Sequence, residues 1–488
     1  MNRKIFRVAV LVFWTSVVCW SCEDYLDIIP KGKRVPKTLE DYAAFLQNPA
    51  FTVGGTYYKM YLVNESYQDP SYMVSSPLNQ IHYYWLEDKD RISDYKNDEV
   101  YNGNYRAIFY MNLLINDVPG INVSSSAESI RAKVLIAQAK TIRALHYFYL
   151  VNTFAKAYNP ETAASDGGIP YTTNSDDFEG QIAQESVEKI YGHILDDLNA
   201  AIPELPLEVD NFMEPNRAAG YALRARVHLF MHNWQEAFND ANEALKLNDY
   251  IFDMVAYHRE YVDPDGTGRT IQDDRNAFTG LPRITYSLGK DENLLVKGGN
   301  SLVTSTEISI KLPLKDSVEN QFCTRDPSRF GEGDTRFLCV FYRDEASGYY
   351  ESRLRDNKNW GGLRTPEVYL IRAECNARLG FLDEAMDDLN ALRKKRIIAS
   401  VYQPLSASSL KEAIDYIRKE RDVELLGSGM MFYDMRRFNT ETEYQRTMVK
   451  KDDKGIMHSL KPDSELWVMP FPKSVTDQNT DLKQNTKI

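Results

Sequence analysis

Two histidines at helical spacing are the first residues in this chain whose types suggest chemistry. His228 and His232 are four residues apart, so a helix would place both rings on one face, an arrangement that can bind a metal ion. A zinc site needs a third protein ligand, and the His-Glu-X-X-His pattern that adds a glutamate as general base is absent. The sequence therefore predicts no metal site and no cofactor.

Adjacent carboxylates are the next candidates, because a glycosidase works with two acids that flank the bond it cleaves. Three such pairs occur: Glu87-Asp88, Asp196-Asp197 and Asp387-Asp388. Neighbouring residues on a helix point in different directions, so these pairs are expected to face solvent. Gly-X-Ser-X-Gly, P-loop and Gly-X-Gly-X-X-Gly motifs are absent. The sequence predicts a protein that is not an enzyme, although a glycosidase whose two acids meet only in the fold stays open.

The N-terminus predicts a lipoprotein signal peptide over residues 1–21. Arg3, Lys4 and Arg7 precede an apolar run over residues 8–18, which is too short to span a membrane. Small Ser21 before Cys22 is typical of a lipoprotein processing site, whereas Cys19, the competing site, follows the bulkier Val18. An ordinary secretory signal is the alternative. Because no second stretch approaches eighteen apolar residues, lipid on Cys22 is predicted to be the only membrane attachment.

Charge and cysteine content exclude several classes of protein. The net charge is −12, and removal of residues 1–21, with three basic and no acidic residues, lowers it to −15, which argues against nucleic acid as a partner. Beyond Cys22, which would carry the lipid, only Cys323, Cys339 and Cys375 remain, an odd number that does not fit a disulfide scaffold. A Cys323–Cys339 bridge stays open, and Cys375 is predicted to be a small buried residue. The 31 Tyr, 21 Phe and 6 Trp exceed what a core needs and leave rings for a surface platform.

Any site in this chain must be positioned by helices. Apolar residues recur at three- and four-residue spacing from Leu135 to Tyr149, and neither Gly nor Pro occurs over residues 131–158. Almost every residue of the stretch 144–151 is apolar or aromatic, so this central helix is predicted to be covered on most sides. After a break at Asn159-Pro160, residues 167–171 are expected to be extended. Further helices are predicted over residues 38–47, 101–117 and 186–205.

An internal repeat predicts the architecture. Residues 234–245 carry Trp234, Ala237, Ala241 and Ala244, a small-residue spacing that lets two helices approach closely. A similar segment with Ala385 recurs over residues 382–392, and helices predicted over 217–231 and 365–379 precede the two copies. This pattern is typical of tetratricopeptide-like helical pairs. The fold class is therefore predicted to be all-α, an α-solenoid of about four pairs.

Two regions interrupt the helical pattern. Residues 49–98 are predicted to be loop-like and are rich in aromatic residues, and residues 250–360 form an irregular insertion. Alternating runs over residues 305–314 and 336–342 are predicted to be edge strands or extended loops. Long irregular insertions on a rigid scaffold commonly carry binding surfaces. The organisation is thus a helical part over 22–249, the insertion over 250–360 and a second helical part over 361–488.

Several short motifs stand in a fixed order along the chain. They are Tyr105-X-X-Ile-X-X-X-Asn112, Arg143-Ala-X-X-Tyr147-Phe, Gly167-Gly-Ile-Pro170, Asp334-X-Arg336, Glu367 with Glu374, Arg421-X-X-Glu424 and Asp434-Met-Arg436-Arg-Phe438. Together they resemble the SusD/RagB family of surface lipoproteins. The resemblance runs from Cys22 to Asn485 and is weakest over 49–98 and 250–360. The charged motif residues, set within apolar helices, are expected to form buried ion pairs.

The resemblance implies a single SusD-like domain over residues 22–488 that does no chemistry. Such proteins are anchored to the outer membrane, and acidic residues directly after Cys22 resemble a signal for export to the exterior face. They bind nutrients, usually oligosaccharides or polysaccharides, and act as a lid over a partner SusC-like TonB-dependent transporter. The candidate ligand contacts, by analogy with relatives, are the following: Tyr83, Tyr84, Trp85 and Trp360 for stacking on sugar rings, and Asp88 and Asn359 for hydrogen bonds.

Two alternatives to glycan binding remain at this point. The same scaffold binds peptides in the RagB branch, which would require a cleft for backbone amides. A lipoprotein needed only to assemble or gate the transporter would have no ligand of its own, and the candidate rings would then simply pack the solenoid.

Overall fold

The computed structural model describes most of the chain after the N-terminus. The described residues are 36–48, 59, 62–63, 77–93, 95–174, 180–271, 290–297, 311–313, 329–344, 349–352, 359, 361–452 and 454–487. Cys22, Cys323 and Trp360 lie outside these ranges.

Helices make up most of the described chain. They are α1 (Leu39–Leu46), α2 (Pro77–Tyr84), α3 (Glu99–Asp117), α4 (Ser126–Phe154), α5 (Val187–Ala201), α6 (Arg217–Phe230), α7 (Trp234–Leu247), α8 (Met254–Tyr257), α9 (Thr335–Val340), α10 (Thr365–Arg378), α11 (Leu382–Lys394), α12 (Leu410–Glu424), α13 (Met430–Phe438) and α14 (Lys473–Thr476). Helices α3 and α4, α6 and α7, and α10 and α11 form antiparallel pairs, and α7 packs against α10. The all-α fold class with tetratricopeptide-like pairs is confirmed.

The strands are short and antiparallel. They are β1 (Gly167–Pro170), β2 (Gln184–Ser186), β3 (Asn293–Leu295), β4 (Lys311–Pro313), β5 (Phe341–Asp344), β6 (Tyr349–Ser352), β7 (Leu363–Arg364), β8 (Met448–Lys451) and β9 (Met457–Leu460). They pair as β1 with β2, β3 with β7, β8 with β9, and β4 with β6 with β5. Four of these nine described strands, β3 to β6, belong to the predicted insertion, as do α8 and α9.

The predicted central helix is α4, the longest described helix, and both of its ends are secured by side chains. The Ser125 hydroxyl accepts an N–H from the first turn. At the other end, the Arg436 guanidinium donates to the carbonyls of Asn152 and Ala155, which have no partners within the helix. The prediction that α4 is covered on most sides is confirmed, because every residue from Thr141 to Phe154 is buried.

The motif residues on α4 hold neighbouring elements in place. Arg143 donates to both oxygens of Asp197 at 2.8 and 2.7 Å and to the Asn112 side chain at 2.7 Å. The Tyr147 hydroxyl donates to the Thr172 carbonyl at 2.8 Å and accepts from the Thr172 N–H at 3.0 Å. The extended segment after the break, which was predicted, is therefore fixed to α4 by hydrogen bonds.

The internal repeat extends to individual contacts. Arg224 pairs with Asp240 through two hydrogen bonds of 2.7 Å, and Arg372, 148 residues later, pairs with Asp388 at 2.9 and 2.7 Å. In both copies the arginine lies over a tyrosine one turn earlier. The small residues predicted to allow close helix approach are fully buried: Ala237, Ala241, Ala244 and Ala385. The two pairs are thus copies of one structural unit.

One glycine lies at a close approach of two helical elements. A Cβ on Gly220 in α6 would lie 2.7 Å from Leu205 Cδ1 and 2.9 Å from Ile202 Cγ1, whereas a Cβ on Gly192 in α5 would meet nothing within 4 Å. Gly220→Ala is therefore expected to destabilise the fold by about 1–3 kcal/mol, and the matched Gly192→Ala to stabilise it by about 0.5–1 kcal/mol. Thermal unfolding of both variants tests this, and equal shifts of the same sign would contradict the packing.

Two predicted irregular stretches are helical instead. Residues 77–84 were expected to be loop but form α2. Pro77 occupies the first helical position, where its missing N–H costs nothing. The helix is also stabilised because it buries its apolar face. The alternating run over residues 336–342 was predicted to be extended, which is wrong for Arg336–Val340. The Asp334 carboxylate caps α9 by accepting from the Arg336 N–H at 3.0 Å.

Of the charged motif residues, Glu367, Glu374, Arg421, Glu424 and Asp434 form buried ion pairs, as predicted. Their partners are Arg226 for Glu367, Arg437 and Arg378 for Glu374, Asp434 for Arg421, and Arg336, Arg364 and Arg396 for Glu424. The prediction is wrong for Arg436, which instead donates to the backbone carbonyls of Asn152 and Ala155. Of the adjacent carboxylates, Asp196 and Asp387 face solvent while their neighbours pair with arginines. The two histidines do not share a helix face, since α6 ends at Phe230 and His232 has a φ of 63°.

Candidate functional site

The predicted aromatic residues Tyr83, Tyr84 and Trp85, called the aromatic segment below, lie at the end of α2 and on the turn that follows it. Trp85 ends α2 with a φ of 54°, a left-handed conformation that is uncommon for a residue with a side chain. This conformation turns the indole inward, and its Nε1 donates to the Leu62 carbonyl at 2.9 Å. Backbone outliers of this kind often occur at functional sites, so the turn at Trp85 is a candidate functional site.

Lys450 of β8 contacts the rings of Tyr83 and Trp85 from the protein interior. Its ammonium lies 4.1 Å from the Trp85 ring centroid and 4.5 Å from that of Tyr83, and all three side chains are buried. A desolvated ammonium attracts the faces of aromatic rings strongly. An open platform made of Tyr83 and Trp85 is therefore not what the structure has, because each residue is only 4% exposed. These two rings build the base of the segment.

Tyr84 and Asp88 are more exposed than Tyr83 and Trp85. The half-buried Tyr84 ring meets the Tyr83 ring edge to face, with centroids 5.0 Å apart. Asp88 is exposed and pairs with the equally exposed Lys89 at 3.1 Å, a contact that solvent screens. Both side chains therefore keep some surface in contact with solvent.

Asn359 has a structural role in the insertion. Its Oδ1 accepts from the Lys297 N–H at 2.9 Å, and its Nδ2 donates to the Leu295 carbonyl at 2.9 Å and to Asn293 Oδ1 at 3.1 Å. Gly362 fits beside Asn359 only because glycine has no Cβ. A Cβ at this position would overlap both Asn359 Oδ1 and the Leu295 carbonyl. These bonds occupy the amide that was predicted to face a ligand, and they fix the turn that follows Trp360 in sequence.

Contacts through α4 connect this turn with the aromatic segment. The Tyr149 hydroxyl donates to the Gly361 carbonyl at 2.7 Å, and its ring lies 5.4 Å from that of Tyr433. The Tyr433 hydroxyl in turn meets the Lys59 ammonium, three residues from the Leu62 carbonyl that holds Trp85. Among the described residues no contact joins Asn359 directly to Tyr84, so α4 is the common support of both.

Electrostatics around Lys59 differ from those of the surface. Burial lowers the pKa of Lys59 to about 7, Arg436 adds to this effect, and Asp98 opposes it. Lys297, which donates to the Met213 carbonyl at 3.0 Å, is lowered to about 7 by burial in the same way, with Glu214 opposing. Both ammonium groups are buried, and both can be neutral near physiological pH.

Sequence reasoning missed the residues that hold the segment in place, chiefly Lys450, Lys59 and Tyr433. A strand alternation over residues 448–451 could have indicated that Lys450 points inward, but no local pattern indicates which rings it meets. Cys375 is buried, as predicted, and burial raises the pKa of its thiol. The Cys323–Cys339 question and the lipidation of Cys22 lie outside the described residues.

Comparisons with known proteins give the family. The profile of the SusD family matches residues 317–487, and the profile described as "Starch-binding associating with outer membrane" matches residues 24–229. SusD-like protein P38 from Formosa agariphila is similar at 22% identity over 434 residues, which is 78% of each chain. No helix in the described ranges has both the length and the apolar character to cross a membrane.

Solved structures share the fold. A SusD superfamily protein from Bacteroides thetaiotaomicron superposes with a TM-score of 0.66 at 19% identity, over 92% of this chain and 100% of that one. A SusD-like carbohydrate binding protein from Bacteroides vulgatus gives 0.59 at 16% identity, over 93% and 99%. Motifs, helical pairs and both profiles agree, and the chain belongs to the SusD/RagB family.

Proposed function

We propose that this protein is a cell-surface lipoprotein that binds a glycan and delivers it, as a lid, to a SusC-like TonB-dependent transporter. The observation that carries the proposal is the profile described as starch-binding, because its match over residues 24–229 includes the aromatic segment. A solved protein of the same fold is named as carbohydrate binding. The family description of outer-membrane association fits a lipid anchor on Cys22.

The ligand face is proposed to lie around Tyr84, with Asp88 beside it and Trp360 as a further ring. A sugar offers apolar C–H groups on one face and hydroxyls around its rim, so it stacks on an accessible aromatic ring and donates hydrogen bonds to nearby acceptors. Tyr83 and Trp85 are proposed to support Tyr84 from the protein interior, and Asn359 is proposed to hold the backbone next to Gly362 in place. The protein acts by binding, and the buried ion pairs have structural roles.

The class of ligand is tested with soluble residues 23–488 in native gels that contain one polysaccharide each. The panel starts with starch, because of the family description, and continues with β-glucan, xylan, mannan and galactan. Retardation in at least one gel is the expected result. Free migration through every gel, by protein whose circular dichroism shows it to be folded, would contradict glycan binding and favour the peptide or scaffold alternatives.

A further inference from the structure

The hairpin of β8 and β9 is fixed directly against the aromatic segment. Met448 and Leu460 face each other at its base, and both are fully buried in the main core. Two pairs further along, Lys450 points inward to Tyr83 and Trp85 and stands opposite His458. The hairpin therefore cannot change its angle to the segment without breaking core contacts.

His458 of β9 stands beside Tyr84, the accessible ring of the segment. The two ring centroids are 5.8 Å apart, and the ring planes meet at 43°. His458 Nε2 lies 2.9 Å from Asp452 Oδ2, and Asp452 is fixed in turn because its Oδ1 accepts from the N–H groups of Lys454 and Ile456 at 2.9 and 2.8 Å. Within the described chain, His458 Nδ1 has no hydrogen-bond partner.

This geometry determines what His458 offers to a ligand. In the neutral imidazole, Nε2–H donates to the Asp452 carboxylate, which leaves the lone pair on Nδ1 as an acceptor. The side chain is partly exposed, and at the tip of the hairpin Ile456 and Met457 are each 54% exposed. An acceptor at the edge of an accessible tyrosine, with apolar surface beyond it, matches a sugar ring that stacks and donates one hydroxyl.

We propose that His458, oriented by Asp452, is a ligand-contacting residue that accepts a hydrogen bond from a hydroxyl of the glycan stacked on Tyr84. This inference rests on the proposed function, because it assigns a second element, the hairpin, to the same face. It also gives the two hairpin residues different roles. Lys450 supports the buried rings of the segment, while His458 contacts the ligand next to Tyr84.

Two substitutions of the same residue separate contact from packing. His458→Phe keeps a ring against Tyr84 but removes the acceptor, whereas His458→Asn keeps an acceptor, Oδ1, near the position of Nδ1. His193→Phe is the matched control, since His193 Nε2 lies 3.2 Å from Glu185 Oε2 and its ring stacks on Tyr171 at 3.8 Å. That pair is on α5 and β2, and no described contact joins it to the hairpin.

Each variant is titrated with the polysaccharide that retards the wild-type protein, and its thermal unfolding is recorded alongside. We expect His458→Phe to weaken binding roughly three- to tenfold, the value of one hydrogen bond, while His458→Asn loses less and His193→Phe binds like the wild type. Wild-type affinity in His458→Phe would overturn this inference and leave the proposed function intact. Wild-type protein that binds no polysaccharide would overturn both.

Discussion

Replacing Glu367 by alanine is expected to lower the free energy of unfolding by about 3–5 kcal/mol. Glu367 of α10 accepts from Arg226 of α6 at 2.8 and 2.5 Å, and the Arg226 side chain has no solvent exposure. Without the carboxylate, the guanidinium keeps only neutral partners, the Tyr149 hydroxyl and the Gly362 carbonyl. A buried charge without a counter-charge is among the most destabilising changes in a core.

Chemical denaturation of residues 23–488 measures this effect, with Glu243→Ala as the matched control. Glu243 also pairs with a basic residue, Lys246, at 2.6 Å, but both side chains are largely in solvent. Its replacement is expected to change the free energy of unfolding by less than about 0.5 kcal/mol. Similar small changes in both variants would show that the Arg226–Glu367 ion pair does not stabilise the contact between α6 and α10.

The second large effect concerns Trp85, which sequence reasoning placed on the ligand surface. Trp85→Ala is expected to destabilise the protein by about 3–5 kcal/mol, because it removes a buried indole, its hydrogen bond to Leu62 and one of the two rings around Lys450. The variant should also bind glycan less well, since Tyr84 adjoins this base. Thermal unfolding and glycan titration of the same sample separate the two effects.

Tyr84→Ala provides the comparison for that experiment. Its ring is half-buried, so its removal should lower stability less than removal of Trp85 while affecting binding directly. If Trp85→Ala instead melted like the wild type and still lost binding, Trp85 would be a ligand contact and the assignment of roles within the segment would be wrong.

The helical scaffold could be predicted because its signals are local. The spacing of Ala237, Ala241 and Ala244, the apolar run of α4 and the break after it all act within a few turns of helix. The buried roles of Glu367 and Glu374 followed from charged residues in apolar helices. Even the exact offset between Arg224 and Arg372 is present in the sequence once the repeat is aligned.

The exposure of the site residues could not be predicted, since it depends on partners distant in sequence. Tyr83 and Trp85 are buried by Lys450, more than 360 residues later, and Asn359 is bound by backbone groups around Leu295. Aromatic residues in an irregular stretch indicate either a platform or a core, and only the fold distinguishes them. The α9 helix was missed because its cap, Asp334, was assigned to the motif instead.

The location of the glycan site is tested most directly by calorimetric titration of three proteins with the polysaccharide that retards the wild type. They are the wild-type protein, Tyr84→Ala, and Tyr416→Ala as a control for a half-buried tyrosine on the outer helix α12. Loss of one stacking contact should weaken binding by Tyr84→Ala about tenfold, while Tyr416→Ala binds like the wild type. Equal affinity of all three proteins would contradict a glycan site at the aromatic segment.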